Sequence, residues 1–175
     1  MRLFDFINAG GSITWILVAM NVFGISLICW RLVIFRDFRK KFESEAKALA
    51  ADLSSRFQIK GLLSHIDLVK DGISQRVHEL EFGMTTIKVI ATTAPLLGLL
   101  GTVIGIYEAF QQISTKGLSD PGAFASGISY ALITTIVGLI VAIPHYIAHN
   151  YLSGELDAME IQMERQIGPH LSKGE

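Results

Sequence analysis

Two apolar stretches, residues 87–110 and 123–146, each carry a stripe of small residues at helical spacing. In the first, Ala91, Pro95, Gly98, Thr102, Gly105 and Ala109 follow at steps of four, three, four, three and four. In the second, Gly127, Ala131, Thr135, Gly138 and Ala142 keep nearly the same rhythm. Small residues recurring in this way let helix backbones approach closely in lipid, where apolar burial cannot by itself drive helices together. Each stripe presents one hydroxyl near mid-span and no charge. The pattern predicts membrane helices packed around a narrow, partly polar pathway.

Half of the 175 residues are hydrophobic and only 18% are charged, a balance unusual for a soluble domain of this size. Three runs are long enough to cross about 30 Å of hydrocarbon at about 1.5 Å per residue. The first is residues 13–35, ITWILVAMNVFGISLICWRLVIF, with Arg31 as its one charge. Near the end of a span, a long side chain of this kind is expected to snorkel to the interface. The net charge of −1 points to no nucleic-acid partner.

The N-terminus, with Arg2, Asp5 and an apolar run longer than an h-region, reads as an uncleaved anchor rather than a signal peptide. Arg36, Arg39, Lys40 and Lys41 follow that run, and the segment 36–88 holds most of the Lys and Arg. The positive-inside rule then predicts an external N-terminus and a cytoplasmic C-terminus. The expected layout is an external N-terminus 1–12, spans 13–35, 87–110 and 123–146, a cytoplasmic helical region 36–86, a short external loop 111–122 and a cytoplasmic tail helix 147–175. The cluster from Arg36 to Lys41 sets this topology and is placed to touch anionic headgroups. Cys29 is the lone cysteine, so it builds no disulfide framework and reads as a small apolar filler.

The cytoplasmic parts read as helical. Ile73, Val77, Leu80, Met84 and Ile87 carry a four-three rhythm straight into the second span, and Leu152, Leu156, Met159, Met163 and Ile167 continue below the third. Gly83 and Gly154 weaken these pieces without a strong break, which predicts two helices of about 40 residues and some 60 Å each. Phe38, Phe42, Leu49, Leu53 and Phe57 predict another amphipathic helix, broken near Gly61. With so few helices per chain, neighbouring subunits are the expected cover for these faces.

The run TTAPLLGLLGTVIGIYEAF at 92–110, followed by ASGISYALITTIVGLIVAIP at 125–144, resembles the last two spans of the ExbB, TolQ and MotA proton-channel family. The shared order is Ala-Pro, Gly-Thr-Val, Ala-Leu, Thr, Gly-Leu and Ala-Ile-Pro. The likeness covers roughly residues 85–165, and the three-span layout is similar to ExbB and TolQ, nearest to ExbB, and unlike the four-span flagellar stator subunit. The resemblance implies an all-α integral membrane fold. It further implies a pentameric pore in the bacterial inner membrane around the helices of a single-span ExbD- or TolR-like partner. In the family's terms, proton flow would drive rotation of that pair and energise TonB-dependent outer-membrane transport through a TonB-like protein. By motif, Thr102 and Thr135 match the family's channel threonines, Pro95 and Pro144 its prolines, and Gly98, Gly101, Gly105 and Gly138 its close-packing positions. Gly127 belongs to the same packing stripe. Tyr130 stands where ExbB and TolQ typically carry a glutamate, and is assigned to the channel lining. Its hydroxyl can hydrogen-bond, but with a reference pKa of about 10 it is a poor proton carrier at neutral pH.

The residues themselves point the same way. A pathway for protons across hydrocarbon generally needs a titratable group near midplane, yet Lys88, Glu108 and His145 all fall towards the ends of the striped spans. A carboxylate at mid-span costs about 2.5–3.5 kcal/mol on insertion scales unless solvated or paired, and threonine hydroxyls supply solvation while staying neutral. The acid is therefore expected from another polypeptide.

Blander roles stand beside these. A threonine in a membrane helix often bonds its own i−4 carbonyl, the prolines can act only as kinks, and Gly101 with Gly105 forms a GxxxG common by chance. His145 and His149 sit four apart, but without a third ligand nearby interfacial or cap-like roles outweigh metal binding. Glu108 and Asp120 read as solvated charge beside the loop, and Asp157, Glu160 and Glu164 as the solvated face of the tail helix. No metal or cofactor is indicated. Gly127-Ile128-Ser129 begins a serine-nucleophile motif, but Ala131 stands where its closing glycine belongs, so an enzyme is not expected. The remaining alternatives are a TolQ-like or other specialised paralogue serving envelope maintenance, or a non-conducting oligomeric scaffold.

Overall fold

The computed structural model describes residues 3–57, 65–117 and 121–171, and every element among them is an α-helix. These are α1 (Leu3–Ala9), α2 (Gly11–Phe57), α3 (His65–Glu81), α4 (Met84–Lys116) and α5 (Pro121–Leu171). Stretches within α2, α4 and α5 are long and apolar enough to cross a membrane: Gly11–Lys41, Met84–Thr115 and Phe124–Arg165. The all-α, three-span architecture is therefore present.

The chain divides into two compact units, residues 1–28 with 86–149 and residues 29–85 with 150–175. In the first, α2, α4 and α5 enclose a core of Ile13, Leu17, Ile90, Ala94, Ile133, Val137, Val141 and Ala142. The α1–α2 junction turns at Gly10 and Gly11, the latter at φ 59°, a left-handed conformation that glycine adopts without a Cβ penalty. Pro121 opens α5 at the position where a missing backbone N–H loses nothing. The outward faces of α4 and α5 expose large apolar side chains such as Leu100, Val103, Ile140 and Ile143, as surfaces meeting lipid or another subunit do.

In the second unit, Ile73, Val77 and Leu80 of α3 and Met84 at the start of α4 are buried at the expected four-three-four spacing. Leu152, Leu156, Met159 and Met163 of α5 are buried likewise. The predicted uninterrupted helix into the second span does not form. α3 ends at Glu81, and Gly83 at φ 82° redirects the chain into α4. Arg31 caps the end of α3. Its guanidinium donates to the Leu80 carbonyl, one of the acceptors a helix C-terminus leaves unmatched, where the helix dipole also favours a cation. Arg31 is thus only 2% exposed instead of snorkelling, with its guanidinium carbon 6.0 Å and 5.9 Å from the ring centroids of Trp30 and Phe35. α5, by contrast, continues through Gly154 for 51 residues, longer than expected.

The segment after the first span is not a separate helix, because α2 runs unbroken for 47 residues to Phe57. Cys29, within the first span, is exposed. The expected break near Gly61 and the Asp120 charge lie outside the described residues.

Candidate functional site

α4 and α5 meet backbone to backbone at two glycine pairs. A Cβ on Gly98 would stand 2.9 Å from the Thr134 carbonyl oxygen, and one on Gly138 would stand 2.8 Å from that of Ala94 and 3.1 Å from the Gly98 Cα. A Cβ on Gly105 would lie 2.6 Å from the Gly127 carbonyl oxygen, and one on Gly127 2.7 Å from that of Gly105. Carbonyl oxygens of two continuous helices cannot retreat, so the small stripe is what allows this spacing. Gly101 does the same job for a side chain, leaving room for that of the fully buried Thr134.

Between the glycine pairs the two hydroxyls of the stripes come together. Thr102 and Thr135 are both half-buried, and their Oγ1 atoms are hydrogen-bonded to each other across the helix pair. The Thr102 hydroxyl also reaches the carbonyls of Gly98 at 3.2 Å and Ala131 at 3.3 Å, while that of Thr135 reaches the Gly98 carbonyl at 3.3 Å. Each hydroxyl has a single proton to donate. Two protons thus serve more acceptors than they can satisfy at once, and several donor arrangements are available without moving a helix. The i−4 bond to Gly98 coexists with the cross-helix contacts. This site can accept or donate a hydrogen bond at mid-span but holds no charge.

Tyr130 does not join the threonines. Its ring lies in a notch of two glycines: a Cβ on Gly11 would stand 2.8 Å from Tyr130 Cε2, and one on Gly105 2.9 Å from Tyr130 Cδ1. It therefore wedges α2 against α4. Helices α4 and α5 continue through Pro95, half-buried, and Pro144, exposed. Of the basic cluster, Arg39 turns towards Glu155 at 3.8 Å, and Lys41 pairs with Asp37 at 2.9 Å. Arg36 and Lys40 are exposed.

His145, expected at an interface, is instead completely buried. Its Nδ1 lies 2.7 Å from the Val141 carbonyl, which can only accept, so Nδ1 donates this bond, and Nε2 has no hydrogen-bond partner among the described residues. The ring is seated on Gly24 of α2, where a Cβ would collide with Nε2 and stand 2.5 Å from Cδ2. Gly24→Ala is expected to lower thermal stability by about 1–3 kcal/mol through overpacking. His145→Ala should recover most of that loss in the double variant. Unfolding curves in detergent test this, and an equal loss in both backgrounds would place the collision elsewhere.

Thr134, Thr14 and Arg31 are further buried polar residues that sequence reasoning passed over or misplaced. Thr134 and Thr14 bond carbonyls of their own helix, Ala131 at 2.9 Å and Gly10 at 2.9 Å. Gly101, opposite Thr134, was the available signal. Among the described residues no group of three His, Cys, Asp or Glu side chains is arranged to hold a metal.

A family model described as the MotA/TolQ/ExbB proton channel family matches residues 38–165. The chain belongs to this family. The matched stretch contains every candidate residue above except Arg36 and those of α1 and the first part of α2, so both glycine pairs and both threonines fall within it. The biopolymer transport protein ExbB of Neisseria gonorrhoeae is 35% identical over 132 residues, covering 71% of this chain and 56% of that protein. The protein of the same name from Helicobacter pylori strain J99 is 34% identical over 131 residues, covering 73% of this chain and 90% of the relative. A putative ExbB homolog of Methanothermobacter thermautotrophicus is 36% identical over 112 residues, 64% of this chain and 37% of the relative. The chain therefore spans little more than half the length of its neisserial relatives. It is an ExbB-like member of a family of membrane proton channels.

Proposed function

We propose that the chain is the pore-forming subunit of a proton-motive-force-driven motor of the ExbB kind in the bacterial inner membrane, with its N-terminus periplasmic and its C-terminus cytoplasmic. Copies of it, five in the family's manner, enclose the helices of an ExbD-like single-span partner, and the complex energises TonB-dependent transport across the outer membrane. The observation that carries this reading is the Thr102–Thr135 hydroxyl pair, held half-buried between close-packed glycines in two otherwise apolar spans. An uncharged hydroxyl pair solvates a passing protonatable group without titrating itself. The carboxyl that carries the proton then belongs to the partner. The drive available is about 2.3 kcal/mol per proton for each 100 mV. Membership of a proton-channel family and relatives bearing the name biopolymer transport protein ExbB support the same assignment.

Native mass spectrometry of the chain, mildly extracted from its host with what co-purifies, tests it. The expected species is a pentamer carrying two copies of a small single-span protein with a membrane Asp. Monomers or dimers across several detergents would remove the pore and leave a non-conducting scaffold.

A further inference from the structure

The face of α2 that closes the first span carries a graded series of side chains. Trp30, 48% exposed, meets Phe82 edge-on at 6.4 Å between ring centroids, an aromatic pair of the kind that marks a membrane interface. One turn further on, a groove of about 540 Å³ opens along the same helix. It begins on Val33 and Ile34, within the apolar run, and ends on Arg36, Lys40 and Lys41. Asp37 is also in it and pairs with Lys41, so the groove carries a net charge of +2, three cations less one carboxylate. Arg36 and Lys40, one helical turn apart, have no carboxylate partner among the described residues, whereas Arg39 points out of the groove towards Glu155. From Trp30 to Lys41 the helix rises about 16 Å, the depth over which a bilayer passes from acyl chain to headgroup.

We propose that this groove binds one anionic phospholipid per subunit, its phosphodiester between Arg36 and Lys40 and its acyl chain along Val33 and Ile34 towards Trp30. The occupant must be apolar at one end and anionic at the other. The exposed acids Asp157 and Glu164 of a second copy offer charge without the apolar end, and a free phosphate likewise lacks it. The inference rests on the first span lying in a membrane, and not on proton conduction.

The test uses the intact oligomer in nanodiscs of mixed phosphatidylcholine and phosphatidylglycerol, with retained lipid counted by native mass spectrometry and affinity read by displacement of a fluorescent phosphatidylglycerol. The expected result is one retained phosphatidylglycerol per subunit, affinity lowered roughly 30-fold in Arg36→Gln/Lys40→Gln, and less than about a twofold change in Arg39→Gln. Equal retention of phosphatidylcholine, or an equal loss in Arg39→Gln, would reduce the groove to diffuse surface charge. Displacement by inorganic phosphate alone would make it a simple anion site. Dissociation of subunits in the double variant with lipid binding unchanged would give the groove to a neighbouring copy. Each of these outcomes overturns the proposal and leaves proton flux, measured separately, to judge the channel.

Discussion

Valine at both Thr102 and Thr135 is expected to leave the oligomer assembled and to cut proton flux by at least about tenfold. The close approach of α4 and α5 rests on the glycine pairs, so it survives valine, a side chain close to threonine in size, but the two hydroxyls that meet at mid-span are gone. A hydrogen bond to a charged group contributes about 1.5–3 kcal/mol, and each 1.36 kcal/mol on a barrier is about a tenfold rate change. Serine at both positions keeps the hydroxyls and should retain most of the flux, although it loses two methyl groups of packing. Flux is measured in proteoliposomes holding the chain with its co-purified partner, under an imposed potential and with an internal pH dye. If the valine variant assembles and conducts like the parent, the threonines are packing residues and the pore reading fails. If the serine variant is as inactive as the valine one, shape rather than hydrogen bonding is the controlling property.

The second large effect concerns the glycines. Gly138→Ala puts a methyl group 2.8 Å from the Ala94 carbonyl oxygen and 3.1 Å from the Gly98 Cα, and Gly98→Ala meets the Thr134 carbonyl at 2.9 Å. These are backbone atoms of the facing helix, so relief requires the whole pair to separate. We expect each alanine to lower stability by about 1–3 kcal/mol, and valine or leucine at either site to prevent assembly altogether. Gly154→Ala is the internal comparison. It also lies in α5, but nothing stands within 4 Å of its built Cβ. There, alanine should be neutral or stabilise by up to about 1 kcal/mol through helix propensity alone. Thermal unfolding and size-exclusion profiles in one detergent separate the two classes. A Gly138→Ala protein as stable as Gly154→Ala would mean that α4 and α5 are not in close contact.

The stripe containing Gly98, Thr102, Gly105, Gly127, Thr135 and Gly138 is legible from spacing alone. Helical periodicity states which residues share a face, and hydropathy states that the face lies in a membrane. That these faces are packed with glycine left few options for what could oppose them. The three spans, the absence of a mid-span carboxylate in the two striped helices and the likeness to a proton-channel family follow from the same one-dimensional information.

Contacts between helices depend on axial register and rotation, which no periodicity encodes. Tyr130 and Thr135 lie on one helix, yet only Thr135 reaches Thr102, while Tyr130 is drawn into the notch made by Gly11 and Gly105. Arg31 and His145 look like end-of-span residues by position, and both are buried because a partner surface was waiting for them: the Leu80 carbonyl for one, the bare backbone of Gly24 for the other. The turn at Gly83 interrupts an apolar rhythm that runs on unbroken in the sequence. The sequence by itself determined which faces must be covered and which positions lie in the bilayer, since both depend on local composition and period. Only the tertiary structure decided which polar group meets which, because a hydrogen-bond partner is a property of two helices docked at one register.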